Sequence, residues 1–285
     1  MVKGPIGVFD SGYGGLTVLR EIIKVLPDYD YIYLGDNARA PYGQRSFDTI
    51  YQYTLECVQW FFNHDCPLVI LACNTASAKA LKNIQHYALP LMAPDRRVLG
   101  VIRPTAEVIG NYTRSGEIGI LATTGTVVSG SYLIEVRRSF PDLKVYQQAC
   151  PMWVPMIESN EYDNTGAEYF IEKYVDLLRS QSPHIDTVLL ACTHYPLLAP
   201  KIKELWPEVK MLSQGPIVAQ SLQDYVQRHP EMEERIGKNK TYQFFTTDAE
   251  NDFDTHASLF FGENIKAKHA EIDHTLHIPD MNILH

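Results

Sequence analysis

Short apolar segments that end in small or polar residues alternate with helical patterns along this chain. Strands are predicted at Ile6–Phe9, Tyr31–Leu34, Leu68–Ala72, Val98–Ile102, Ile118–Ala122, Val145–Ala149 and Val188–Ala191. Helices are predicted at Gly15–Leu26, Phe47–His64, Ser77–Gln85, Ser129–Phe140, Gly166–Ser180 and Val218–His229. Continuously apolar strands that alternate with helices are typical of a parallel sheet whose faces are covered by helices. The pattern predicts an α/β fold.

Two pairs of similar segments occur in the same order. Ile6–Gly12 has the sequence IGVFDSG and Ile118–Gly125 has IGILATTG, while Leu68–Thr75 has LVILACNT and Val188–His194 has VLLACTH. The two pairs are offset by nearly the same distance along the chain, which favours a duplicated α/β unit. Coincidence is the alternative, because buried strands resemble one another in composition. The first boundary is expected near Ala93–Arg97, where MAPDRR interrupts the apolar pattern.

The overall composition is that of an ordinary globular protein, and its length suggests two domains. The net charge of −9 argues against a nucleic-acid or anionic-membrane partner, which would need a basic surface. No apolar run is long enough to span a membrane, and the first predicted strand begins at Ile6. We therefore expect no signal peptide and a cytoplasmic location.

The cysteines and histidines do not have the spacing of a metal site or a disulfide framework. There are 5 cysteines, an odd number without CxxC pairs, so structural zinc and a disulfide scaffold are not expected. Histidines cluster near the C-terminus, but their irregular spacing in a polar segment favours solvated side chains over a metal tract. These are His269, His274, His277 and His285.

Two of the cysteines occupy positions that suit catalysis. Cys73 and Cys192 each follow a predicted strand, and hydroxyl or amide residues suited to helix capping follow them. Ligands of parallel sheets gather at these strand ends, and a helix N-terminus favours a thiolate. The alternative is a small buried hydrophobic residue, which explains Cys57, Cys66 and Cys150 well. A cysteine recurs at equivalent points of the two repeated units, which favours a functional role for Cys73 and Cys192.

Two thiols across a cleft suit proton removal from one face of a carbon and proton delivery to the other. Inversion of a stereocentre needs such a pair, and matched pKa values help because the roles must exchange. A hydrolase would need only one nucleophile with its base and an oxyanion hole. The paired motif therefore favours an isomerase.

Other polar residues near the same strand ends are candidates for supporting roles. Asp10 could orient or accept a proton near Cys73, or it could cap the helix after GYGG. His194 could assist Cys192, or it could be a turn residue. Neutral hydroxyl and amide donors for carboxylates are Ser11, Asn74, Thr75, Thr123, Thr124, Thr126 and Thr193, although each could merely cap a helix. Pro41–Gly43 is a turn by composition whose tyrosine could form a substrate wall. Gly12, Gly14 and Gly15 have neither the spacing nor the lysine of a phosphate-binding loop.

The motifs DSGYGG, PYGQR, ACNTASA, ATTGT, CPMWVPMIE and ACTHYPLL resemble those of the glutamate racemases of the aspartate/glutamate racemase superfamily. The resemblance covers nearly the whole chain, in order. It implies cofactor-independent racemisation of glutamate that supplies D-glutamate for peptidoglycan synthesis. It also implies two pseudo-symmetric α/β domains around a central active-site cleft. The first domain is expected at residues 1–97 plus 209–285 and the second at 98–208, and a homodimer is expected.

Carried over by motif, the resemblance implies that Cys73 and Cys192 are the catalytic thiols, that Asp10 and His194 assist them, and that Glu158 lies near the second. It implies substrate binding by Asp10, Ser11, Pro41, Tyr42, Gly43, Asn74, Thr75, Thr123, Thr126, Thr193 and His194. No metal ligand and no cofactor are expected.

The chain departs from the family pattern at three positions near the two strand ends. Arg103 and Thr105 stand where an acidic residue and glycine are common, and Ala191 replaces a usual glycine. These departures bear on the geometry of the hinge between the domains. The alternatives are a racemase of another acid, such as aspartate or a hydantoin, and a non-catalytic protein that binds a small acid. The two cysteines disfavour the related decarboxylases.

Overall fold

The computed structural model describes residues 3–275 as two sheets with flanking helices. The strands are β1 (Ile6–Asp10), β2 (Tyr31–Gly35), β3 (Leu68–Leu71), β4 (Arg97–Gly100), β5 (Glu117–Ala122), β6 (Lys144–Ala149), β7 (Thr187–Ala191), β8 (Lys210–Ser213), β9 (Tyr242–Thr246) and β10 (Ala267–His269). The α-helices are α1 (Leu16–Val25), α2 (Phe47–Asn63), α3 (Asn74–Lys79), α4 (Leu81–Asn83), α5 (Leu89–Met92), α6 (Ile102–Ala106), α7 (Thr124–Ser129), α8 (Ser131–Ser139), α9 (Trp153–Glu158), α10 (Thr165–Arg179), α11 (Ala199–Leu205), α12 (Gln214–Arg228), α13 (Pro230–Glu233) and α14 (Glu250–Phe261). Short 3₁₀-helices lie at Asn37–Arg39, Ile109–Tyr112 and Tyr195–Leu198, and a π-helix lies at Ile84–Ala88.

The first sheet has the strand order β10-β9-β2-β1-β3-β4 and the second has the order β6-β5-β7-β8. All of the pairings between these strands are parallel. The central strands β1, β3, β5 and β7 are buried along their whole length, as their apolar sequences require. The predicted α/β fold with two mainly parallel sheets is confirmed, and all seven predicted strands are present.

The edge strands of the two sheets do not match the predicted boundaries. β4 pairs with β3 in the first sheet. The polar segment MAPDRR therefore lies within the part of the chain that forms the first sheet and does not mark the end of that part. β8 pairs with β7, so the second sheet continues past residue 208. Among the described residues after β8, the strands β9 and β10 belong to the first sheet, where β9 pairs with β2. A composition break marks a turn, whereas hydrogen bonding to a neighbouring strand decides sheet membership. The division into two domains remains a prediction.

Two predicted helices are interrupted. Gly130 has a φ of 64° and ends α7, so the segment predicted as Ser129–Phe140 begins as a separate helix at Ser131. The segment predicted as Ser77–Gln85 is divided among α3, α4 and the π-helix, and α3 begins directly after Cys73. As a result, α7 and α3 each begin shortly after the end of a central strand.

The first sheet with its helices is the first half of the protein, and the second sheet with its helices is the second half. The two halves pack against each other through α1 and α12. α12 follows the last strand of the second sheet, and its Gly215 lies directly against α1. A Cβ at Gly215 would come within 2.8 Å of Glu21 Cγ and 3.2 Å of the Thr17 carbonyl oxygen, so glycine permits this close approach. None of the helices in residues 3–275 has the length and apolar character of a membrane span.

Of the four C-terminal histidines, His277 and His285 lie outside the described residues. His269 is exposed, and His274 is largely exposed while its Nδ1 lies 3.0 Å from Glu56 Oε2. No group of three or more His, Cys, Asp or Glu side chains within residues 3–275 is arranged to hold a metal ion.

Asp30 anchors the segment that returns to the first sheet. Its carboxylate accepts hydrogen bonds from Asn239 N and Nδ2 and from Thr241 N and Oγ1, at 2.7–3.0 Å. Burial alone would raise the pKa of Asp30, but these donors outweigh it and the pKa is lowered. The ionised carboxylate thus holds the loop that leads into β9.

Asp30→Asn should lower the free energy of unfolding at pH 7 by about 2 kcal/mol, because an amide cannot accept all four hydrogen bonds. The lowered pKa means that this stabilisation is present above the unfolded Asp pKa of ~3.9 and is lost as the pH falls through the folded value. Urea unfolding at pH 7 and near pH 3 measures both effects. Asp28→Asn is the control: Asp28 forms an exposed ion pair with Lys240, and its loss should cost less than about 1 kcal/mol. Equal losses for the two variants would contradict this role for Asp30.

Candidate active site

One pocket lies where strands of both sheets end. Its lining comes from the segments that follow β1, β3, β5, β6 and β7 and from the turn after Ala40. The lining residues are Ser11, Pro41, Tyr42, Gly43, Gln44, Cys73, Asn74, Thr75, Thr123, Thr124, Cys150, Pro151, Val154, Pro155, Glu158, Cys192, Thr193 and His194. Both cysteines singled out from the sequence therefore face the same cavity, one from each sheet.

Cys73 occupies the N-cap position of α3. Its Sγ accepts from Ala76 N at 3.5 Å and donates to Ser11 Oγ at 3.5 Å. Burial, reinforced by the nearby Asp10 carboxylate, raises the pKa of the Cys73 thiol to about 12. The backbone N–H of Ala76 at the start of α3 lowers this pKa, as expected of a helix N-terminus, but desolvation outweighs it. Cys73 is therefore a thiol at neutral pH.

Cys192 lies beside a buried histidine that is itself paired with a carboxylate. Cys192 Sγ is 3.9 Å from His194 Nδ1, and His194 Nε2 is 3.0 Å from Glu158 Oε1. Burial by itself would lower the pKa of His194, but the hydrogen bonds to Cys192 and Glu158 outweigh it and raise the pKa well above the usual value. A positive charge thus lies next to Cys192 Sγ. The two thiols have different surroundings.

Asp10 lies behind the pocket, at the junction of the two halves, and is not among the lining residues. The fully buried carboxylate accepts from Gly12 N at 3.0 Å and from Thr193 Oγ1 at 3.2 Å. Burial raises its pKa, while the charge of His194 lowers it in part. Gly15, not Asp10, is the N-cap of α1. Asp10 therefore bonds to a residue adjacent to Cys192, and Thr193 serves it as a donor and does not cap a helix.

A row of hydroxyl groups links the two halves on the other side of the pocket. Thr75 Oγ1 is 3.0 Å from Thr123 Oγ1, which in turn is 3.1 Å from Thr126 Oγ1. Thr123 also caps α7 by accepting from Thr126 N. Thr126 is fully buried behind Thr123 and does not line the pocket. Thus Thr75 and Thr123 line the cavity, whereas Thr126 supports Thr123 from behind.

The turn at Pro41–Gly43 closes one side of the pocket. Tyr42 is buried and not exposed, and its hydroxyl donates to the Asp36 carboxylate. The carbonyl of Gly43 accepts from Gly125 N at 2.8 Å, so the turn of the first half contacts α7 of the second. The turn is a wall of the pocket, as predicted, but its tyrosine hydroxyl is bonded within the protein.

The glycine loop after β1 allows the two halves to meet closely. A Cβ at Gly14 would come within 2.3 Å of Thr193 Oγ1 and 2.5 Å of His194 Nδ1, which real side chains do not tolerate. A Cβ at Gly12 would lie 3.1 Å from Glu158 Oε1. These glycines leave room for the turn that carries His194.

The sequence did not single out part of the lining, namely Gln44, Cys150, Pro151, Val154 and Pro155. The sequence favours a structural role for Cys150. It is buried like all five cysteines, which are unpaired, but it also lines the pocket because β6 lies next to β5. The motif CPMWVPMIE contains most of these residues and was the available signal. The order of the strands, which brings it to the pocket, is not visible in the sequence.

Comparison with known proteins identifies the family. Residues 6–222 match the family model described as Asp/Glu/Hydantoin racemase. The chain belongs to this family. A glutamate racemase of Sulfurihydrogenibium is 37% identical over 269 residues, which cover 94% of this chain and 97% of the relative. The solved glutamate racemase isoform RacE1 of Bacillus anthracis has a TM-score of 0.85 at 33% identity, covering 94% of this chain and 97% of that one.

A third relative bears on the pocket. The glutamate racemase of Francisella tularensis, solved in complex with D-glutamate, has a TM-score of 0.81 at 28% identity over 95% of this chain and 97% of that one. Membership in this racemase family, together with these relatives, makes the chain an isomerase that acts as an amino-acid racemase. The resemblance inferred from the motifs is confirmed.

In this racemase, Glu158→Gln should lower the pKa of His194, because it removes the carboxylate that stabilises the imidazolium. NMR titration of the imidazole signals, with His194 assigned by its loss in His194→Asn, measures the shift. Glu161→Gln is the matched control, since Glu161 is an exposed carboxylate just beyond α9 and bonds to Asn164. An unchanged His194 titration in Glu158→Gln would refute the role of this ion pair.

Proposed function

We propose that this chain interconverts L- and D-glutamate without a cofactor, by a two-base mechanism in which Cys73 and Cys192 act on opposite faces of the substrate. The observation that carries the proposal is that the two cysteines, one from each sheet, line one pocket. The relatives named as glutamate racemases support the choice of substrate, as does the Francisella relative bound to D-glutamate.

In the proposed reaction, one sulfur takes the α-proton as a thiolate while the other donates a proton as a thiol. In one state of this cycle Cys73, whose pKa is raised to about 12, is the proton donor, and Cys192, with its Sγ 3.9 Å from His194 Nδ1, is the base. This state is ready to act on L-glutamate if Cys192 faces its α-proton, as the family resemblance implies. Conversion to D-glutamate exchanges the two roles, so the reverse reaction starts from a Cys73 thiolate.

The remaining polar groups have supporting roles in this proposal. Glu158 holds His194 in its charged form, and Asp10 holds Thr193 next to Cys192. The substrate carboxylates would be held by the neutral donors of the lining and by the backbone N–H groups at the starts of α3 and α7. The candidates among the predicted binding residues are Ser11, Gly43, Asn74, Thr75 and Thr123, with Thr193 acting through its main chain and Pro41 and Tyr42 as wall.

The cellular role follows from the same proposal. D-glutamate made by this enzyme would supply peptidoglycan synthesis in a bacterial cytoplasm, and the enzyme would work as a homodimer. The net charge of −9 supports a small-molecule substrate and no nucleic-acid partner.

The purified protein should racemise L- and D-glutamate after dialysis against a chelator and with no cofactor added. Alanine should react at least ~100-fold more slowly, because losing one buried charge-assisted contact costs about 3 kcal/mol. Polarimetry measures both rates. Equal rates for the two amino acids would reject recognition of the second carboxylate, and loss of activity in the chelator would reject a cofactor-free reaction.

The assignment of the thiols is tested by single substitutions. Cys73→Ser and Cys192→Ser should each nearly abolish racemisation in both directions, because every turnover needs both groups. Glutamate carrying chlorine on the β-carbon needs only proton removal to eliminate HCl, so one thiolate is enough. Cys73→Ser should eliminate from the L analogue only, and Cys192→Ser from the D analogue only.

Chloride release measures the elimination, and Cys66→Ser controls for loss of a buried thiol that does not line the pocket. The assignment of opposite faces is wrong if both catalytic variants prefer the same enantiomer.

A further inference from the structure

Asn74 takes part in a closed ring of hydrogen bonds with two residues that do not line the pocket. Asn74 Nδ2 donates to Gln214 Oε1 at 2.5 Å, Gln214 Nε2 donates to the Tyr132 hydroxyl at 2.6 Å, and that hydroxyl donates to Asn74 Oδ1 at 2.7 Å. All three side chains are buried, and Tyr132 is fully so. The ring joins the first residues of α3 and α12 to the first turn of α8.

The direction of every hydrogen bond in this ring is set by one backbone carbonyl. Gln214 Nε2 also lies 3.2 Å from the Val101 oxygen, which can only accept, so the amide nitrogen of Gln214 must face it. Gln214 Oε1 then faces Asn74 and requires the Asn74 nitrogen there. The Tyr132 hydroxyl accepts from Gln214 and therefore has its proton free for Asn74 Oδ1. The orientation of the Asn74 amide is thus set by two residues that do not line the pocket.

A residue in which this chain departs from the family pattern also contacts the ring. The hydroxyl of Thr105, which stands where glycine is common, donates to the Val101 oxygen at 2.9 Å and lies 3.2 Å from Gln214 Nε2. Gln214 Nε2 has two hydrogens for three acceptors, so Val101 and Thr105 share one of them. The extra hydroxyl holds Gln214 in the orientation that the ring needs.

Once the ring is satisfied, Asn74 has one amide hydrogen for which the described residues provide no acceptor, and Asn74 lines the pocket next to Cys73. We infer that Tyr132 and Gln214 are positioning residues, which fix Asn74 so that it offers an N–H donor to an anionic oxygen of the substrate. This inference rests on the proposed racemisation of glutamate. It adds two residues outside the pocket to the groups on which that reaction depends.

Tyr132→Phe tests the inference, because it removes one hydroxyl from the ring of hydrogen bonds and leaves the aromatic side chain in place. We expect kcat/KM to fall about tenfold for L- and D-glutamate alike, mainly through KM, since a donor to a carboxylate contributes chiefly to binding. Equal losses for the two enantiomers are required because their equilibrium constant is one. Tyr31→Phe is the matched control: its buried hydroxyl donates to the Leu26 carbonyl at 2.8 Å, away from the pocket.

A double-mutant cycle separates positioning from a general structural role. In an Asn74→Ala background, Tyr132→Phe should change kcat/KM less than twofold, because the group that it positions is already absent. Both tyrosine variants should lower Tm by a similar few degrees, but only Tyr132→Phe should change KM. Gln214→Glu, which cannot donate to the Val101 carbonyl, should raise KM by at least as much as Tyr132→Phe does.

Wild-type kcat/KM in Tyr132→Phe, or an undiminished tenfold loss in the Asn74→Ala background, would overturn the inference while leaving racemisation intact. A wild-type protein that does not racemise glutamate would overturn the proposed function, and the inference with it.

Discussion

The buried carboxylate of Asp10 is the contact on which the arrangement of this protein depends. It ends the central strand of the first sheet and accepts a hydrogen bond from Thr193, which follows a central strand of the second. A fully buried carboxylate is tolerated only when donors satisfy it, so the two strand ends must stay together. Thr17 reinforces the junction, since its hydroxyl donates to the Thr193 carbonyl at 3.1 Å. Both sheets therefore open into the same cavity.

The close approach at this junction also explains why the first half has a glycine-rich loop. Thr193 and His194 occupy the space that a Cβ at Gly14 would need. The same closeness keeps His194 buried, which would favour its neutral form without a partner. Glu158 supplies that partner, and the buried imidazolium stays next to Cys192. One packing constraint thus leads to the electrostatic difference between the two thiols.

This electrostatic difference means that the two cysteines are not an equivalent pair. The duplicated motif suggests two similar thiols, yet Cys73 is bonded to a serine hydroxyl and lies near a carboxylate, whereas Cys192 lies near a cation. Behind the pocket, the ring formed by Asn74, Tyr132 and Gln214 adds a second asymmetry, because the second half supplies it with a tyrosine and the first half with the amide that it orients.

The sequence by itself determined the features that depend on neighbouring residues. Apolar runs predicted the seven strands, the duplicated strand ends marked Cys73 and Cys192, and the motifs identified the family. The tertiary structure decided what depends on residues far apart in the chain. Strand order brought Cys150 to the pocket, pairing with β3 and β7 assigned β4 and β8 to their sheets, and packing placed Asp10 and Thr126 behind the lining. The physical reason is that periodicity reports which face of an element is buried, whereas the partner of that face is chosen by packing and hydrogen bonding between distant segments.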